Sequence, residues 1–202
     1  MLSNSFIQLE NFEKLEKIGE GGFGKAYKVL NKIDGNIYSA KISFHEDNDF
    51  SSEFVKHFFR EVNILSLINF PSITKFIGCS PISFNNKPKP TIIFEYLSNG
   101  TLHQLLELIR KGENIPEWTD TKKLITLYGI AKALEFLHSN YIIHRDLRPV
   151  NILLDDYLFP KISDFGLSKV IKLNPNSETT EETNEVPNTP EYLAPEVLTA
   201  ED

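Results

Sequence analysis

The apolar period of the chain changes at Ser98-Asn99-Gly100. Few folds accommodate a sheet pattern that stops and a helical pattern that starts at one polar triplet. Ahead of it, residues 25–30 and 36–42 flank Asp34-Gly35, a pair suited to a tight turn, so a hairpin is expected there. Residues 91–97 read as a further strand. One helix interrupts this half: Phe54, Phe58, Val62 and Leu65 recur at helical spacing, and Pro71 ends the run.

Beyond Gly100 the spacing turns helical. Leu102, Leu105, Leu106 and Ile109 mark a short amphipathic helix. Leu124, Leu127, Tyr128, Ala131, Leu134 and Leu137 mark a longer one, and Ile125 and Ile130 add apolar surface off that stripe. So broad an apolar surface requires cover on several sides. Short strands are expected within 141–154 and at 161–162, around polar loops. The Ser-, Thr-, Glu-, Asn- and Pro-rich run 174–188 reads as a mobile loop. There is no internal repeat. These patterns give an α+β chain divided at 98–100, with sheet before and helices after.

Composition narrows the function classes. A net charge of −7, from 28 acidic and 21 basic residues, argues against a nucleic-acid partner or an anionic membrane surface. Cys79 is the only cysteine, which excludes an internal disulfide and fits a reducing, cytoplasmic setting. Residues 1–9 lack the basic segment and apolar run of a signal peptide. No apolar stretch reaches membrane-spanning length, so membrane insertion is not expected. The five histidines are scattered, which makes a structural zinc site improbable.

Five clusters carry chemistry. Gly19-Glu20-Gly21-Gly22-Phe23-Gly24 lies between strand-like segments. Its glycines let main-chain N–H groups approach phosphate oxygens, although such a hairpin is more often simply structural. A strand rather than a helix follows, which disfavours a dinucleotide-binding motif. Lys41 and Glu61 read singly as a solvated lysine and a polar-face glutamate, but together they can form an ion pair that directs an ammonium toward phosphates. His144-Arg145-Asp146-Leu147-Arg148-Pro149-Val150-Asn151 packs a basic, acidic and amide set between two apolar runs. It can offer a carboxylate to a hydroxyl proton and an amide oxygen to a metal. Asp164-Phe165-Gly166 and the segment from Thr189-Pro190-Glu191 to Ala194-Pro195-Glu196 complete the series.

In this order and at these spacings the clusters resemble the eukaryotic protein kinase family, from about Phe12 to Glu196. The resemblance implies a kinase domain over 12–202: an antiparallel-sheet first lobe at about 12–97 with one helix, a hinge at about 95–100, and a mainly helical second lobe at about 101–202. It implies ATP with Mg²⁺, protein substrates, a role in signal transduction and no nucleic-acid partner. Gly19, Gly21 and Gly24 match the phosphate-covering glycines, with Gly22 between them. Lys41 matches the lysine on the α- and β-phosphates, with Glu61 its helix partner. Asp146 matches the carboxylate that orients the substrate hydroxyl, with Arg148 beside it, and Asn151 and Asp164 match the metal ligands. Phe94 gates the rear pocket, the backbone of Glu95 through Leu97 binds adenine, and Leu153 joins the nucleotide contacts. Leu65, Phe76, His144 and Phe165 match an apolar column of the active state. Arg145 before Asp146 implies regulation through the activation segment, with Ser177, Thr179, Thr180 and Thr183 as candidate phosphosites.

Thr189-Pro190 and Pro149 resemble serine/threonine kinases, Thr189 being expected to shape a shallow site for a short hydroxyl side chain near Asp146. Arg148 stands where those kinases usually carry lysine, and 95–102 resembles tyrosine-kinase-like sequences, so the tyrosine-kinase-like branch with Ser/Thr specificity is the expectation. Ala26 and Ser39, which would roof the adenine ring, stand where valine and alanine are usual. The chain stops six residues after Glu196, which implies an incomplete second lobe. A catalytically impaired ATP-binding or scaffolding fragment is the alternative, and a small-molecule kinase with a related catalytic loop is a third reading.

Overall fold

A computed structural model of the chain describes residues 5–21, 24–43, 52–171 and 190–195, with the side chains of 52–57 and 190 excepted. The described elements form two compact units, divided after Ser98.

The first unit is built on a five-stranded antiparallel sheet: β1 (Phe12–Gly21), β2 (Gly24–Asn31), β3 (Ile37–Ser43), β4 (Phe76–Ser80) and β5 (Thr91–Glu95). Their spatial order is β1-β2-β3-β5-β4. The β2–β3 hairpin is set by its loop. Gly35 takes φ +70, which only a residue without a Cβ adopts at no cost. Asp34 then accepts from the Asn36 N–H and the Tyr38 hydroxyl, both at 2.8 Å, while Asn31 Oδ1 caps the Ile33 N–H. One face of the sheet carries a core of Leu9, Phe12, Val29, Ala40 and Ile93, with Ile7, Tyr27, Tyr38, Ile77 and Phe84 packed around it.

Helix α1 (Ser52–Leu67) contacts β4 and buries Phe58, Val62, Ile64 and Leu65. This is the stripe expected from spacing, except that the side chain of Phe54 lies outside the described residues. Strand β5 ends at Glu95, two residues short of the expected run. Two features were not visible in the apolar pattern. Strand β4 is one. The other is the segment Ser5 to Ile7, which runs parallel to β4 at its outer edge through Ile7 N–H to the Cys79 carbonyl at 2.9 Å and Cys79 N–H to the Ser5 carbonyl at 2.8 Å.

The second unit opens with α2 (Leu102–Arg110), whose start is encoded by a reciprocal cap. Thr101 accepts from the Gln104 N–H at 3.1 Å, and Gln104 accepts from the Thr101 N–H at 2.9 Å. The long helix α3 (Asp120–Ser139) is capped by Thr119, which accepts from Lys122 N–H.

Its inward face differs from the expected stripe. Thr126, Ala133 and Leu137 are buried, while Leu124, Leu127 and Tyr128 are 64 to 68% exposed and Ala131 is also exposed. The helix is apolar on more than one face, so spacing alone does not choose among them. Thr126 can serve the core because its hydroxyl donates to the Lys122 carbonyl at 2.9 Å, which removes the cost of burying it. Short strands complete the unit: β6 (Ile142–Ile143) pairs with β9 (Lys169–Val170), and β7 (Ile152–Leu154) with β8 (Pro160–Ile162). Strand β9 was not anticipated. The run 174–188 lies outside the described residues.

Candidate functional site

Directly opposed residues of an antiparallel sheet share a face, and neighbours along a strand alternate. In the first unit Gly19 opposes Ala26, Ala26 opposes Lys41, and Ser39 precedes Lys41 by two, so all four lie on one face. The Lys41 ammonium is 2.8 Å from Glu61 Oε1, delivered by α1. Their side chains are 18% and 10% exposed, so this is a shielded ion pair with one member on the sheet and one on the helix. Breaking such a pair leaves a buried charge and costs about 3 to 5 kcal/mol. Gly24 is required for a different reason: a Cβ there would collide with the Ile42 carbonyl, so β2 can approach β3 only without a side chain. A Cβ at Gly21 would meet nothing within 4 Å. Gly22 lies outside the described residues.

Glu95, at the end of β5, is fixed from three directions. Its N–H donates to the Lys75 carbonyl at 3.0 Å, its Oε1 accepts from the Lys75 N–H at 2.7 Å, and its carbonyl accepts from the Ser39 hydroxyl at 3.1 Å. Sequence reasoning gave Ser39 a steric role only. The hydroxyl bond was missed because it joins residues 56 apart. Phe94 opposes Ser39 across the β3–β5 ladder and meets Phe76 edge to face at 6.5 Å, while Leu97 is half-buried. Leu65 is buried within this same unit.

In the second unit the polar turn between β6 and β7 is held without slack. Asn151 donates twice from Nδ2, to the Asp146 carbonyl at 2.8 Å and to Asp146 Oδ2 at 2.7 Å. The Asn151 Oδ1 makes no hydrogen bond among the described residues, which leaves it available as an oxygen ligand. Arg148 Nε lies 3.3 Å from Asp146 Oδ1, an ion pair whose N–H is not aligned as a hydrogen bond. Asp146 itself is only 7% exposed.

His144 is buried, and its Nε2 donates to the Ser163 carbonyl at 3.0 Å while Nδ1 accepts from the Asp146 N–H at 3.3 Å. Burial pushes the imidazole pKa below its ordinary 6.5 against opposing pulls from the Ser163 bond and the Asp164 and Asp146 carboxylates. The ring is therefore neutral, with its proton on Nε2. It stacks edge to face on Phe165 at 4.9 Å.

Two further serines lock the turn, and sequence reasoning did not single them out. Ser163 donates its N–H and its hydroxyl to the Asn151 carbonyl, at 2.9 and 3.0 Å. Ser168 donates to the His144 carbonyl at 3.2 Å. A signal existed for Ser163: it is a polar residue wedged between Ile162 and Asp164-Phe165. Asp164 follows it at φ 63 and Arg145 sits at φ 66, where a side chain is strained. Arg145 Nε donates to the Leu167 carbonyl at 2.8 Å, which ties this turn to the residues after Asp164. Leu153, half-buried on β7, forms a bridge with Thr101. Thr189, Ser177, Thr179, Thr180, Thr183 and Glu196 lie outside the described residues.

Among the described residues no three His, Cys, Asp or Glu side chains cluster as a ready-made metal cage. Asn151 and Asp164 supply oxygen donors of the hard type, a set that fits a cation completing its shell with phosphate oxygens and water. No helix among them is long and apolar enough to cross a membrane.

Comparison with known proteins agrees with this arrangement. The family model described as the protein kinase domain matches residues 12–202. Cold-responsive protein kinase 1 of Arabidopsis thaliana is 37% identical over 193 residues, covering 93% of this chain and 45% of its own length. Serine/threonine-protein kinase CTR1 of Arabidopsis thaliana is 35% identical, covering 91% of this chain and 21% of its own. The Aurora kinase of Saccharomyces cerevisiae is 34% identical, covering 95% of this chain and 48% of its own. The chain thus spans less than half the length of these relatives.

Proposed function

The chain belongs to the protein kinase family, and from that premise we propose that it transfers the γ-phosphoryl group of ATP to serine and threonine hydroxyls of proteins, using Mg²⁺. The observation that carries this reading is the clamped turn, in which a single asparagine holds the Asp146 carbonyl and carboxylate with the nitrogen end of its amide while the oxygen end makes no hydrogen bond among the described residues.

Phosphoryl transfer of this kind asks the protein mainly for position and charge. Asp146, aimed by Asn151 and neutralised in part by Arg148, orients the substrate hydroxyl and takes its proton as the oxygen attacks. Lys41, steadied by Glu61, places a positive charge at the α- and β-phosphates. Gly19, Gly21, Gly22 and Gly24 allow main-chain N–H groups to approach phosphate oxygens, the backbone of 95–97 reads adenine, and Ala26, Ser39, Phe94 and Leu153 bound the ring. Asn151 and Asp164 would hold Mg²⁺, which when bound neutralises charge on the phosphates.

Ser/Thr specificity is supported by the Thr189-Pro190 and Pro149 pattern and by the printed name of the CTR1 relative. We propose a cytoplasmic location, a reading supported by the need for ATP and by a lone, buried thiol at Cys79. A peptide library with Ser, Thr or Tyr as the acceptor, supplied with labelled ATP and Mg²⁺, tests the reading. Label is expected on Ser and Thr peptides and to disappear with Asp146→Asn. Dominant labelling of Tyr peptides overturns the specificity, and undiminished labelling by Asp146→Asn overturns the mechanism.

A further inference from the structure

Ser39 places a hydroxyl on the face of the first unit's sheet that carries Lys41. It stands two residues before Lys41 on β3 and opposes Phe94 on β5, so these three side chains share a face with Ala26. The residue is half-buried, and its hydroxyl donates to the Glu95 carbonyl at 3.1 Å. A carbonyl only accepts, so the hydroxyl proton lies toward it.

The fold does not depend on this bond. Glu95 is already held by its N–H on the Lys75 carbonyl at 3.0 Å and by its carboxylate on the Lys75 N–H at 2.7 Å. Its place opposite Tyr38 in the β3–β5 ladder fixes it again. A hydroxyl beside a carbonyl so well anchored adds chemistry more than support. What it adds is a rotor: serine carries one donor and two acceptor lone pairs, and turns to suit its neighbour. A carbonyl alone offers acceptors only.

We infer that Ser39 is a specificity-determining residue that reads position 6 of the purine and admits 6-oxo purine nucleoside triphosphates beside ATP, an inference that rests on the assignment of 95–97 to the adenine site. A base seated on the Glu95 backbone meets its carbonyl with a donor, which adenine supplies as its 6-amino group. A 6-oxo purine sets oxygen against oxygen there, and a site that leaves polar groups without partners discriminates strongly. With Ser39 beside that carbonyl, the hydroxyl turns to donate to an oxo group or to accept from an amino group. The alanine usual at this position does neither. Ser39 thus lowers the preference for amino over oxo.

The test is calorimetric titration of the 202-residue chain and of Ser39→Ala with ATP, inosine triphosphate and purine riboside triphosphate, each with Mg²⁺. These carry an amino group, an oxo group and a hydrogen at position 6. Inosine triphosphate also differs from ATP at N1, but that difference is common to both chains and cancels when they are compared. The ratio of the inosine triphosphate Kd to the ATP Kd should rise about three- to tenfold in Ser39→Ala, the loss of one hydrogen bond, through weaker binding of the oxo nucleotide. Purine riboside triphosphate has no polar group at position 6 and should bind both chains within about twofold. A ratio that is unchanged or falls would overturn the inference and leave the ATP-site assignment standing. So would inosine triphosphate that fails to bind the parent chain, or an equal loss for all three nucleotides, which is what a purely structural role would give. ATP that fails to bind the parent chain would overturn the assignment itself, and this inference with it.

Discussion

His144 is buried with both ring nitrogens engaged, so it can be read only as a neutral residue that positions others. Its Nε2–H holds the Ser163 carbonyl and its Nδ1 holds the Asp146 N–H, which fixes the backbone on either side of the Asp146 carboxylate. The pH dependence follows. The folded state keeps the His144 pKa below 6.5, so the unfolded chain takes up the proton first as pH falls. The stabilisation is complete above about pH 6.5 and is lost as pH drops through that value toward the folded pKa. Urea denaturation of the parent chain should show stability falling below about pH 6.5. In His144→Phe that component should be absent, on top of a pH-independent loss of about 1 to 3 kcal/mol from the unsatisfied Ser163 and Asp146 groups. Parallel pH profiles for the two chains would show that His144 is not buried neutral. At this scale the sequence was informative where a contact follows from residue type, as for the ion pair expected between Lys41 and Glu61. It was silent where a role depends on a long-range partner, as for the Ser39 hydroxyl on the Glu95 carbonyl or Ser168 on that of His144.

Elements were legible in proportion to how local their signals are. Helix α2 announced itself through spacing, and the structure adds a cap at Thr101 and Gln104 that was local enough to be read in the sequence but was not. The β2–β3 hairpin did so through Asp34-Gly35. The face of α3 was misread because Leu124, Leu127 and Tyr128 are as apolar as the buried residues, and burial there was decided by tertiary packing. The edge of β4 was invisible, since five residues including Gly78 carry no alternation and the segment that covers them lies some seventy positions earlier. That edge makes a prediction. A Cβ at Gly78 would collide with the Ile7 side chain and crowd the Ser5 carbonyl, so Gly78→Val should displace Ser5 to Ile7. Cys79 is buried beneath this segment with its thiol pushed up to about 11 by burial, and should react with alkylating reagents only after local opening. Loss of the two main-chain hydrogen bonds, worth about 1 to 2 kcal/mol together, should speed Cys79 modification about tenfold in the variant. Equal rates would mean that the segment does not seal the edge.

At the scale of the whole molecule, nucleotide-binding groups are assigned to both compact units, and the assignments make separable demands. Lys41 belongs to the first unit and is proposed to contribute charge to the phosphates, whereas Asp146 and Asp164 belong to the second and are proposed to serve the hydroxyl acceptor and the metal. The family and the α+β architecture were legible because glycines, charges and amides recur in one order along the chain, and that order survives any misreading of a helix face. The groups on each unit are tested together by calorimetric titration of ATP, with and without Mg²⁺, into the parent chain and three variants. The parent should bind ATP more tightly with Mg²⁺. Lys41→Met should weaken binding at least about tenfold, equivalent to about 1.4 kcal/mol. Asp164→Asn should remove the Mg²⁺ dependence, and Asp146→Asn should keep the parent affinity within about twofold because its carboxylate acts on the acceptor. ATP binding that is indifferent to Lys41→Met, to Asp164→Asn and to Mg²⁺ would contradict the account.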